Sequence, residues 1–113
     1  MTNQIILYKF IQTNNNVNWY DISYFYKLSE NFIREFQDKL DWYWISVNQK
    51  LSESFIREFQ FTVYWSAISA YQKLSEDFIR EFQDKVSWYH ISEYQNLSEN
   101  FIREFKIRLI GIQ

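Results

Sequence analysis

The chain has 113 residues, of which 47% are hydrophobic and 22% aromatic; this is too apolar for a disordered chain and enough for one domain with a real core. Twelve basic residues against 14 acidic ones leave a net charge of -2, which argues against the strongly basic surface of a typical nucleic-acid binder. Cysteine and proline are absent and Gly111 is the sole glycine, so disulfides, thiol nucleophiles, thiolate metal sites and glycine-rich phosphate loops are excluded.

Residues 1–16 hold a faint version of a pattern that recurs along the rest of the chain. Ile6 stands four before Phe10, and Phe10-Ile11 matches the Phe-Ile pairs at 32–33, 55–56, 78–79 and 101–102. Phe10 to Val17 is one residue shorter than Phe32 to Leu40, and Thr13-Asn14-Asn15-Asn16 replaces a Phe-Gln-Asp-Lys string. A terminal repeat lacks one neighbour, so divergence is expected there. This segment is read as a degenerate N-terminal cap.

From residue 17 the chain is a tandem repeat with a period of 23 residues and no slip, in units 17–39, 40–62, 63–85 and 86–108. Leu-Ser-Glu begins at Leu28, Leu51, Leu74 and Leu97, and Phe-Ile-Arg-Glu-Phe spans 32–36, 55–59, 78–82 and 101–105. Trp19, Trp42, Trp65 and Trp88 recur in the same register, as do the Ile-Ser pairs at Ile22, Ile45, Ile68 and Ile91. Identity of this extent points to stacked repeats within a single domain.

Each unit predicts two short helices. In the second half, Leu74, Phe78, Phe82 and Val86 lie four apart with Ile79 beside them, which is one apolar helical stripe. Ser75 suits an N-cap, and Glu76 and Asp77 suit the first turn, so a helix is predicted over 76–85. Its polar face offers Glu76, Arg80 and Asp84 at i, i+4, i+8, and Glu81 within reach of Lys85. In the first half, Trp88, Ile91, Ser92 and Gln95 fall on one helical face. Asn18, Asp41 and Ser87 precede the tryptophans as N-cap residues, whereas Tyr64 does not. A second helix is therefore predicted over 88–95, and the fold class is all-α, a solenoid of stacked two-helix units. The alternative is a strand in this half, giving an α/β solenoid of the leucine-rich type.

Ser23, Ser46, Ser69 and Ser92 sit on the inward stripe, small enough for close helix approach and able to bond the i-4 carbonyl. Gln49, Gln72 and Gln95 extend that stripe and are expected to bond across units, with Tyr26 replacing the glutamine in the first unit. The tryptophans and repeated phenylalanines are assigned to core. In the tail, 109–113, Leu109 takes the usual Leu/Val position and Gly111 ends the helix. Ile110 and Ile112 are expected to cover the end of the stack or to make a dimer contact.

The string Leu-Ser-Glu-Asp-Phe-Ile-Arg-Glu-Phe-Gln-Asp-Lys-Val at 74–86, with Trp88 and Ile91-Ser92 after it, resembles tandem repeats in uncharacterised proteins of giant DNA viruses and some phages. The resemblance covers about residues 17–108. It implies a viral or mobile-element setting, hence the cytoplasm of a host cell, and carries no enzyme activity or catalytic residues with it.

Functional candidates come from positions that the repeat does not explain. Trp44 stands where the sister units have Asp21, Ala67 and His90. Phe61 stands where they have Asp38 and Asp84, and Tyr64 replaces an N-cap residue. Trp44, Val47, Phe61 and Tyr64 are therefore the candidate protein-binding residues, since exposed aromatics at variable repeat positions mark interfaces. His90 is the only histidine and has no cysteine or second histidine to share a metal, and it is read as a solvated surface residue. The arginines at 34, 57, 80 and 103 form a ladder, each flanked by acidic residues of its own unit, and are read as ion pairs on a solvated face.

No catalytic residue, cofactor or metal is nominated, no membrane span is visible, and direct nucleic-acid binding is not expected. The expected function is a non-enzymatic protein–protein interaction module with a host or viral protein as partner. The alternatives are an inhibitor of a host nucleic-acid-handling defence protein, or a self-assembling structural repeat in which the same patch makes a homodimer.

Overall fold

The computed structural model describes residues 3–111. Each unit folds as a seven-residue helix opened by its tryptophan, an extended joint, a helix opened by its glutamate, and a tight turn. The helices are α1 (Asn3–Thr13), α2 (Trp19–Phe25), α3 (Glu30–Glu35), α4 (Trp42–Asn48), α5 (Glu53–Glu58), α6 (Trp65–Tyr71), α7 (Glu76–Glu81), α8 (Trp88–Tyr94) and α9 (Glu99–Leu109). No strand occurs among the described residues. The α2, α4, α6 and α8 helices pack side by side in order, and the stack measures 54 × 24 × 20 Å.

The second helix of each unit starts where expected. Ser29, Ser52, Ser75 and Ser98 are extended, and each hydroxyl accepts the N–H of the phenylalanine three residues on at 3.1 Å. The helix then stops earlier than the predicted 76–85. Phe82 leaves helical geometry (φ -108, ψ 29), so α7 ends at Glu81. The Phe82 carbonyl instead accepts Lys85 N–H at 2.8 Å and Val86 N–H at 3.0 Å. That i→i+4 bond keeps Val86 on the same apolar face as Phe82. The spacing in the sequence therefore looks helical through what is a turn. Asp84 consequently lies outside the helix, and Arg80 pairs with Asp77 and with the next unit rather than with Asp84.

The first helices are capped unevenly. Asn18 accepts Asp21 N–H, and Asp41 accepts the N–H groups of Tyr43 and Trp44. Ser87 does not cap α8, contrary to expectation, because its hydroxyl is hydrogen-bonded to His90 Nδ1 at 2.7 Å. Gln95 is the extended C-cap rather than the last helical residue, although its N–H still reaches Ile91 O. Helices this short are marginal alone, so packing must hold them.

The packing around one phenylalanine recurs in every unit. Phe32, Phe55, Phe78 and Phe101 are essentially sealed from solvent, as are Ile33, Ile56 and Ile79. Trp42, Trp65 and Trp88 each lie against the phenylalanine pair of their own unit, and Trp19 lies against Phe36. The tryptophans thus tie the two helices of one unit together as well as reaching the unit before. Trp42, Trp65 and Trp88 also donate their indole N–H to the carbonyl of Gln37, Gln60 and Gln83 in the preceding turn.

Polar side chains join one unit to the next. Ser46 Oγ, fully buried, accepts the N–H of Tyr64 at 3.1 Å, and Ser23 and Ser69 do the same for Asp41 and Ser87. The i-4 bond expected of this serine is made by Ser23 to Trp19 O. Gln72 reaches back into the previous unit. Its Oε1 accepts Leu51 N–H at 3.1 Å, and its Nε2 donates to Ser46 O and Gln49 O. Gln49 and Gln95 repeat this pattern. Glu53 accepts both the N–H and the hydroxyl of Ser75, and Glu30 and Glu76 serve Ser52 and Ser98 alike.

The ends differ. At the N-terminal end α1 takes the place of a preceding second helix. Leu7 is buried, Gln4 accepts Ser29 N–H as the junction glutamates do for their serines, and Tyr8 OH donates to Glu35. At the other end α9 continues past the break at Phe105 (φ -115, ψ 21) to Leu109, which packs against the core as expected. Gly111 adopts φ 81, a conformation that glycine takes without strain, just past the helix end. Ile110 is 66% exposed and does not cover the stack; Ile112 lies outside the described residues.

Candidate functional site

The two rows of helices present chemically different surfaces. Along the second helices the arginines are engaged in ion pairs, within one unit as expected for Arg80 with Asp77 and Arg103 with Glu99, and between units for Arg34, Arg57 and Arg80. Arg34 binds Glu58, Arg57 binds Glu81 through Nε and Nη2 at 2.8 Å each, and Arg80 binds Glu104. The same guanidinium groups cover the phenylalanine of the next unit, Arg34 over Phe55 and Arg80 over Phe101. The paired carboxylates hold Arg34, Arg57 and Arg80 more firmly protonated than usual. The reciprocal bond from Arg57 holds Glu81 below the usual carboxylate range. Glu76 is held down too, chiefly by the backbone N–H of Ser98.

Along the first helices the surface is aromatic. Trp44 is half-buried, its ring set edge-on against Tyr24 at 4.7 Å and Tyr20 at 6.0 Å. Tyr43 touches Trp44 and, across the junction, Tyr64 at 5.6 Å. Phe25 extends the same run through Tyr24. Thus Trp44 and Tyr64 belong to one cluster, with Tyr43 as the link. Val47 is half-buried at the position that Tyr24 holds one unit earlier.

Phe61 lies apart. It sits in the turn after α5, 86% exposed, with the Lys85 ammonium 4.5 Å from its ring centroid. None of the described ring contacts joins it to Trp44, Val47 or Tyr64.

The aromatic run is interrupted in the third unit by Ser66, Ala67 and Ala70 and resumes with Tyr71, Tyr94, His90 and Tyr89 in ring contact. His90 is partly sheltered there rather than fully solvated. Among the described residues no cluster of acidic, histidine or cysteine side chains could hold a metal ion, and no helix is long and apolar enough to cross a membrane.

The cluster includes Tyr20, Tyr24, Phe25 and Tyr43, which the departures from the repeat did not nominate. The available signal was the residue after each tryptophan, aromatic in three units of four, and the position of Tyr24 two after Ile22. Both fall opposite the buried isoleucine stripe, where a repeat has no packing need for rings. Compared with protein-family models, with curated proteins and with solved structures, the chain matches none.

Proposed function

We propose that this chain is a protein-binding repeat module whose contact surface is the aromatic row of its first helices. The observation that carries the reading is the connected cluster Tyr20, Tyr24, Trp44, Tyr43 and Tyr64, whose tyrosines are 39–51% exposed. Tyrosine and tryptophan give large contact area for little lost side-chain freedom, and they dominate recognition surfaces for that reason. The rings stand on a scaffold locked by buried serine and glutamine bonds, so little further ordering is needed on binding. The opposite face, with its arginines already paired, favours a protein partner over a phosphate backbone. The resemblance to viral and phage repeats supports a host or viral protein as that partner, met in the host cytoplasm. The reading is non-enzymatic and calls for no cofactor.

The test is affinity capture with the intact chain, then titration of the captured protein against variants. Trp44→Ala is expected to weaken binding by about 1–2 kcal/mol, the scale of an interface hot spot. Phe61→Asp, outside the cluster, is expected to change affinity much less. Salt-sensitive binding of nucleic acid that vanishes on Arg57→Ala, with Trp44→Ala neutral, would refute the reading.

A further inference from the structure

The turns that follow the second helices form an edge with a ladder of its own. The turns at 38–39, 61–62 and 84–85 each put two side chains outward, and all six are exposed. The first position of a turn reaches forward to the second position one unit on. Asp84 meets Arg108 in this way at 3.5 Å, and Phe61 meets Lys85, whose ammonium lies 4.5 Å from the ring centroid. Asp38 has the uncharged Thr62 at the corresponding place, and it makes no ion pair among the described residues.

The fold makes no use of the Phe61 ring. Asp38 and Asp84 hold the same place in their turns. The backbone is unchanged by the difference: Phe59 O accepts Thr62 N–H and Val63 N–H just as Phe36 O accepts Lys39 N–H and Leu40 N–H. Yet the ring is 86% exposed, more than any other large apolar side chain among the described residues. Phe61 also gives Lys85 a ring where the repeat offers a carboxylate.

The edge therefore reads Asp38-Lys39, Phe61-Thr62, Asp84-Lys85, with the same acid–base pair one unit to either side of the ring. Because the carboxylate position reaches forward and the basic position reaches back, this order is self-complementary. A two-fold axis through Phe61 sets Asp38 of one copy opposite Lys85 of the other, Lys39 opposite Asp84, and ring against ring at the centre. The four charges cancel, so the edge offers no net field to a nucleic acid or an anionic membrane. What it matches is its own reverse.

We propose that the turn edge centred on Phe61 is an isologous self-association surface, and that its occupant is a second copy of this chain in reversed orientation. The edge is narrow, so the contact is smaller and weaker than a standard interface. It shares no ring contact with the aromatic row, and it stands or falls without that row.

The experiment is sedimentation equilibrium of the full chain. The parent is expected to dimerise with a dissociation constant below about 1 mM. Phe61→Asp restores the residue of the sister turns, so it should keep the parent's helical circular dichroism and weaken the dimer at least about tenfold. Asp38→Lys and Lys85→Asp each set like charges across the axis and should weaken it by about tenfold as well. Within one chain these two residues lie two units apart, so the double variant Asp38→Lys/Lys85→Asp regains the dimer only through contact between copies. An equimolar mixture of the two single variants should recover too, because their heterodimer pairs opposite charges on both sides of the axis. A parent that stays monomeric at about 1 mM, a dimer that survives Phe61→Asp, or charge variants that show no rescue would overturn the proposal. Loss of the dimer on Tyr43→Ser, with Phe61→Asp neutral, would place the contact on the aromatic row and likewise contradict it.

Discussion

The row of first helices and the row of second helices are built from the same period yet solve different problems. In the second row the recurring arginine and glutamate of the first three units are partnered in the next unit, arginine by glutamate and glutamate by serine. In the first row the recurring isoleucines and the serines Ser23, Ser46 and Ser69 are buried, and the exposed residues vary and are mostly aromatic. Strict repetition therefore marks packing and junction chemistry, while freedom from repetition marks the surface that packing leaves unconstrained.

That contrast orders the expected effects of substitution. The largest belongs to the sealed phenylalanines. Phe78→Ala removes a buried ring between Trp65 and Phe82 and should cost about 3–5 kcal/mol in urea unfolding, a large share of the stability of a domain this size. A midpoint equal to the parent's would remove Phe78 from the core.

Next comes the junction glutamine. Gln72→Ala strands Leu51 N–H and two carbonyls in a buried place, so a loss of about 1–3 kcal/mol is expected. Gln95→Ala should cost less, because the last junction is only partly buried. Equal losses at the two sites would show that burial does not set the strength of the bond.

The ion-pair ladder should matter least for stability at neutral pH and most for its pH dependence. Its groups are exposed, so Arg57→Ala is expected to lower the urea unfolding midpoint far less than Phe78→Ala or Gln72→Ala. Glu76 and Glu81 titrate below the ordinary carboxylate value of 4.5 in the folded chain. A carboxylate depressed in this way contributes stability that is fully present above its unfolded pKa and lost as pH falls through its folded pKa. Thermal stability should therefore decline as pH drops below about 4.5. Glu81→Gln should flatten part of that decline. A variant with an unchanged acid limb would remove this pair from the linkage.

Much of the fold is legible in the residue pattern alone. The serine caps and the sealed phenylalanines come from local spacing, because a cap and an apolar stripe are decided within one helix. The end of the second helix is not legible, since the turn at Phe82 preserves the i→i+4 bond to Val86 and so mimics helical periodicity. Nor is the destination of the arginines. Each unit offers an identical glutamate, and only three-dimensional stacking decides whether Arg57 meets Glu58 or Glu81. Of the candidate contact residues, Trp44 and Tyr64 share a cluster through Tyr43, whereas Phe61 does not. Proximity in sequence does not survive the turn that separates a unit's two rows.

The most direct test of the division between the rows is a paired measurement on one variant, Tyr20→Ser/Tyr43→Ser/Tyr64→Ser, of thermal unfolding and of affinity for the captured partner. All three rings are at least 40% exposed, so the unfolding temperature should fall far less than for Phe78→Ala. Partner affinity should drop at least about tenfold, or 1.4 kcal/mol. A variant that unfolds as readily as Phe78→Ala, yet binds like the parent while folded, would show that the aromatic row is packing and that recognition lies elsewhere.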